Sequence, residues 1–169
     1  MCTQRPPHSV ITYGAVILAA GVVSGTAATL VQVALWLLFT ADFPGVLFRD
    51  ARLTAALVLG ARVLPPPATF DFAVLAVATI IHFALSVAYA AILYPFVARR
   101  GYLWAVTAGA VFGIALYAIN LYGFAALFPW FAQARGWIAA AAHVAFGVSA
   151  STACRFLLFR CGGHRAGGH

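Results

Sequence analysis

The stretch Phe72 to Val97, FAVLAVATIIHFALSVAYAAILYPFV, decides the fold. It holds no Asp, Glu, Lys or Arg, and about 20 apolar residues at 1.5 Å rise suffice to cross a hydrocarbon core roughly 30 Å thick. The run is therefore predicted to be a membrane-spanning helix, with the imidazole of His82 near its middle. Thr79, His82, Ser86 and Tyr89 recur at the helical period and share one face. That face is predicted to look toward other helices, because an ionisable group turned to lipid is costly.

The whole chain shares this character. Of its 169 residues 64% are hydrophobic and 8% charged, a composition foreign to soluble domains. Further runs over about 10–40, 102–128 and 137–159 complete an all-α integral membrane protein of four transmembrane helices. Short connections predict an up-down bundle, one domain over residues 1–160, with a flexible glycine-rich tail at 161–169. The first run is unbroken from Val10 to Phe39, too long for the apolar part of a cleaved signal peptide. Ser9 is placed to cap it.

The formal charge of +7 is carried by arginine alone. The arginines lie between and beyond the apolar runs and form no basic face with interleaved aromatics. They are predicted to contact lipid headgroups and set orientation, and nucleic acid is not expected as a partner. Arg5, Arg99, Arg100, Arg155, Arg160 and Arg165 fall on one side. Arg49, Arg52, Arg62 and Arg135 fall on the other, with Asp42, Asp50 and Asp71. The positive-inside rule then puts both termini in the cytoplasm of a bacterial inner membrane, with the 99–101 turn, where Gly101 is predicted to permit a tight reversal.

Segment 44–64, bounded by Pro44 and by Pro65, Pro66 and Pro67, is too charged to span. It is predicted to be an amphipathic helix of about five turns at the outer interface, or a re-entrant one. Arg49, Asp50 and Arg52 mark its edge. Arg49 and Asp50 project about 100° apart on a helix and are predicted not to pair, whereas Arg49 and Arg52 share a headgroup-facing side.

Glycines and polar residues recur in parallel. Gly21 and Gly25 of the first helix and Gly109 and Gly113 of the third have GxxxG spacing, and Gly147 lies on the fourth, so helices can approach closely there. Gln32 follows Gly25, and Asn120 follows Gly113, at the same interval. Each of these helices precedes one bearing a histidine, His82 or His143. The pattern predicts two related helical hairpins. All four polar residues fall roughly 10–15 Å below the outer boundary, by the helical rise. With Ser86, Tyr89 and Tyr117 they make a polar layer.

That layer could simply bind helices together. It could also ligate haem b through His82 and His143, or line a narrow path for protons or a small solute. No metal site is predicted, since no carboxylate lies in the spans and the only further soft donor, Cys154, is about three turns away. Cys2, Cys154 and Cys161 are odd in number and form no disulfide framework. No nucleotide loop, nucleophile elbow or carboxylate pair is present, so no catalytic residue is assigned.

The GVVSG opening at residues 21–25, the Phe48-Arg49-Asp50 step, the histidine of the second helix and the glycine-rich third helix resemble the YagU-like family of small bacterial inner-membrane proteins. The resemblance implies four helices and an inner-membrane location. The function expected from the sequence is that of a non-catalytic accessory or assembly subunit of a larger membrane complex, a respiratory one among the candidates. Its partners would be the lipid bilayer and other membrane subunits. A haem b electron-transfer module is the alternative.

Overall fold

The structure, a computed structural model, describes residues 10–163. Ser9, Cys2 and the tail from 164 lie outside them. Five α-helices follow in order: α1 Val10–Phe39, α2 Gly45–Leu59, α3 Phe72–Val97, α4 Tyr102–Ala118 and α5 Trp137–Gly163. No strand occurs among the described residues. α1, α3 and α5, and α4 with its continuation to Ala126, are each long and apolar enough to cross a membrane. Their outward surfaces carry large apolar side chains, such as Leu38 (74% exposed), Ile80 (69%) and Val111 (68%), a distribution suited to lipid.

Local chemistry sets the helix ends. Asp71, in extended conformation, accepts the Val74 N–H through its carboxylate at 3.1 Å and so caps α3. α2 is shorter than expected, fifteen residues, because Gly60 interrupts it at φ 77°, ψ −178°, a conformation closed to residues bearing a Cβ. A short 3-10 turn, Ala61–Val63, follows. Gly101 sits at φ −66°, ψ 166°, ordinary extended backbone, so the 98–101 reversal does not depend on its being glycine.

The third span is not α-helical to residue 128. After Ala118 the chain widens into a π turn, Ile119–Gly123, and then a 3-10 turn, Phe124–Ala126. The preceding bonding already loosens there, with the Ile119 N–H shared by Ala115 O and Leu116 O. The connection to α5 contains the 3-10 helix Pro129–Ala134.

α1 packs on α3 and on α5, and α4 packs on α5. α3 makes little contact with α4, although only a short turn joins them, and little with α5. The helices thus form two antiparallel pairs, α1/α3 and α4/α5, joined along the α1–α5 side and parted between α3 and α4. The tightest core lies toward the 98–101 end, where Ala20, Leu93, Val97, Ala105, Ala150 and Cys154 are fully or almost fully buried. At the other end α2 lies on α3 through Ala55, Val74 and Ala78.

Glycine sets the closeness of both pairs. A Cβ at Gly21 would stand 2.6 Å from Val87 Cα, and one at Gly25 would stand 2.7 Å from Ser86 Oγ. In the other pair a Cβ at Gly113 would stand 2.7 Å from Val144 Cα, and one at Gly109 or Gly147 would collide with the facing glycine's carbonyl. All five glycines are engaged within the chain.

Candidate functional site: a cavity under α2

Because α3 and α4 diverge from their shared turn, the bundle is hollow at the α2 end. The cavity has a volume of about 550 Å³. α2 covers one end of it with Leu47, Asp50, Ala51, Leu53, Thr54 and Leu57, helped by Phe131 and Ala134, and the side between the helices stays open, where the lining residues Leu30 and Leu85 are exposed. Trp130 fixes the 129–134 segment to this cover by donating its indole N–H to Leu53 O at 3.0 Å.

Thr79, His82, Ser86 and Tyr89, the face read from the sequence of α3, all line the cavity, as do Gln32, Asn120 and His143. They divide into separate hydrogen-bonded sets. The first is a directional chain. Tyr89 Oη donates to Asn120 Oδ1 at 2.8 Å, Asn120 Nδ2 donates to His143 Nε2 at 3.3 Å, and His143 Nδ1 donates to Ala139 O at 2.7 Å. A carbonyl can only accept, so the proton sits on Nδ1 and Nε2 offers its lone pair. That requirement also fixes which way the Asn120 amide points.

His82 belongs to the other pair of helices. Its Nε2 lies 3.2 Å from Gly25 O and 3.3 Å from Thr29 Oγ1. Since Gly25 O only accepts, this nitrogen carries the proton. The two histidines are therefore held as opposite tautomers. Ser86 bonds back to His82 O at 2.8 Å within its own helix. Tyr117 meets His143 edge-on at 5.8 Å and accepts the Gly136 N–H through its hydroxyl at 3.2 Å. Gln32 lines the cavity but joins neither set.

The charged edge of α2 departs from its sequence reading. Arg49 and Asp50 do pair, through Nε at 2.8 Å and a terminal nitrogen at 2.7 Å. The long arginine side chain folds back along the helix and overcomes the 100° offset at the backbone. Burial pushes the Asp50 carboxyl above its usual range, and the adjacent Arg49 charge and hydrogen bond pull the other way. Arg52 does not share Arg49's surroundings. It is only 9% exposed, and its guanidinium donates to Val63 O at 3.1 Å and to Thr69 O at 3.2 Å. It staples the 63–69 connection to α2.

Sequence reasoning missed two participants. Trp36, 6% exposed, forms part of the cavity wall. Arg135 donates through Nε to Leu121 O at 2.8 Å and lies over the Tyr122 ring at 4.2 Å. Its acceptor belongs to the π turn, and the irregular hydrogen bonding of that turn could not be read from residue spacing.

Comparison with protein-family models, with curated proteins and with solved structures finds no match to this chain.

Proposed function

We propose that this protein is a non-catalytic membrane protein that binds a small apolar molecule in the cavity beneath α2. The cavity carries the proposal. Its volume of about 550 Å³ falls within the roughly 300–1,000 Å³ of ligand sites, and an apolar wall with a few placed polar groups is the composition such sites share. The chain Tyr89–Asn120–His143 supplies orienting groups without a nucleophile or an acid-base pair beside them. The positive-inside asymmetry and the resemblance to YagU-like proteins support a bacterial inner membrane with both termini cytoplasmic and α2 on the outer face. The shared pattern of glycine, amide and histidine supports descent of the two helix pairs from one hairpin.

Native mass spectrometry of the full chain released from mild detergent tests this reading. The wild type is expected to retain a small apolar adduct. Ala142→Phe, which fills the cavity from α5 where Ala142 is 3% exposed and lines the wall, is expected to lose it while keeping its helical circular dichroism. Adduct-free wild type, or equal adduct on both proteins, overturns the reading.

One observation favours a second reading, haem b ligation. His143 donates Nδ1–H to a backbone carbonyl, the usual arrangement of a ligating imidazole, though its Nε2 lone pair is taken by the Asn120 amide, which would have to let go. The Nε2 of His82 is held on Gly25 O instead, so that ring would have to turn. A reduced-minus-oxidised spectrum with a sharp α band would replace the first reading by this one; a colourless, folded protein removes it. The accessory-subunit reading no longer gains from the small-residue faces, which the chain's own helices use. Co-purification of other membrane chains in mild detergent tests it.

A further inference from the structure

The cavity does not end at Gln32. A second recess of about 190 Å³ adjoins it and shares Gln32, Trp36, Asp50, Ala134 and Ala139 with it. The recess adds Arg49 and Arg135 to its walls. Along one continuous surface the chemistry therefore changes, from Leu, Ala and Phe to two guanidinium groups against one carboxylate. Arg49 is paired with that carboxylate. Arg135 has no carboxylate partner among the described residues, and its hydrogen bond and ring contact engage Nε and the face of the guanidinium. Its terminal nitrogens retain donors in the fork geometry that suits a phosphate.

Resting on the binding function proposed above, we infer that the ligand is a phosphate-headed amphiphile, its chain in the larger hollow and its phosphate between Arg49 and Arg135. Charge complementarity selects this occupant. A neutral apolar molecule would leave Arg135 without a counterion. A zwitterionic head would bring an ammonium to a recess whose one acid already serves Arg49. Free inorganic phosphate has the right charge but nothing to fill the apolar hollow.

Trp36 borders both hollows and provides the readout. Full-length protein in a non-ionic detergent is titrated with lysophosphatidylglycerol bearing a brominated chain, with lysophosphatidylcholine bearing the same chain, and with inorganic phosphate alone. The signal is the tryptophan quenching that Trp36→Phe abolishes. The anionic lipid is expected to half-saturate at about tenfold lower concentration than the zwitterionic one, the ratio a charge-assisted hydrogen bond supplies. Arg135→Gln is expected to bring the two within about twofold by moving the anionic curve alone, and Arg135→Lys to keep most of the preference. Arg49→Gln, on α2 and so away from the connection that carries Arg135, guards against a folding effect of the Arg135 change and is expected to lower the preference too.

Equal affinities in the wild type overturn the phosphate site and leave the apolar cavity standing. Inorganic phosphate that displaces the lipid as tightly as the lipid itself binds overturns the amphiphile in favour of a free anion. Saturable quenching by neither lipid overturns the cavity reading beneath both.

Discussion

Asn120 holds a position that neither hydrogen-bonding neighbour can replace. Changing it to leucine leaves the Tyr89 hydroxyl and His143 Nε2 without their partner on one side of a water-poor interior. Asn120→Leu is expected to lower stability by about 1–3 kcal/mol. Gln32→Leu, which breaks no such bond, should stay within about 0.5 kcal/mol of wild type. Reversible unfolding in mixed micelles compares them, and equal losses would show that depth alone matters. Asp50 provides a pH signature. Its folded-state pKa is raised, so its stabilising contribution is complete below the unfolded value of about 4 and is lost as pH rises through the folded one. The stability of wild type relative to Asp50→Asn should therefore fall as pH rises above about 4, as thermal unfolding at a series of pH values would record; a rising difference would mean that Arg49 holds the carboxylate charged. At this scale helical rise set four polar residues at one depth, and two of them, Asn120 and His143, are hydrogen-bonded to each other, whereas His82 bonds to Gly25 O and Thr29 instead of Gln32. The sequence hid the partners that are backbone atoms, Gly25 O for His82 and Ala139 O for His143, because every residue has a carbonyl and composition does not mark the one that is used.

The helices differ in how far sequence determines them. The apolar runs fixed α1, α3 and α5 to within a few residues, because a span of given thickness leaves little freedom in length. α2 and the end of the third span were less legible. Gly60 stopped the one, and the π turn from Ile119 diverted the other; π turns are rare, single-turn interruptions with no residue spacing of their own to read. The glycine contacts separate along the same line. Gly147→Ala and Gly113→Ala press a methyl group on backbone of the facing helix and should each cost about 2 kcal/mol or more. Gly14→Ala meets nothing within 4 Å and should be neutral or stabilising by up to about 1 kcal/mol through helix propensity. Unfolding titrations of these three variants decide whether the two helix pairs are set by close backbone approach.

For the molecule as a whole, the cavity was the least legible feature. It arises from what is missing between α3 and α4, and sequence patterns report which side chains gather better than where space is left. The cover is held from both sides, by the packing of α2 on α3 and by the Trp130 bond to Leu53 O. Trp130→Phe should loosen that second attachment and raise hydrogen exchange in 45–59 without altering the four spans. Unchanged exchange there would assign the cover's rigidity to α3 alone.

The Arg52 staple bears on how the chain enters its membrane during synthesis. Both carbonyls that receive the guanidinium follow it closely, Val63 by 11 positions and Thr69 by 17. The cation's acceptors therefore all lie before α3, and its internal solvation needs neither α4 nor α5. The Trp130 bond must wait for the second hairpin. The first hairpin would then reach the bilayer with its most buried charge already satisfied, and the hollow would close only when the last helix arrives.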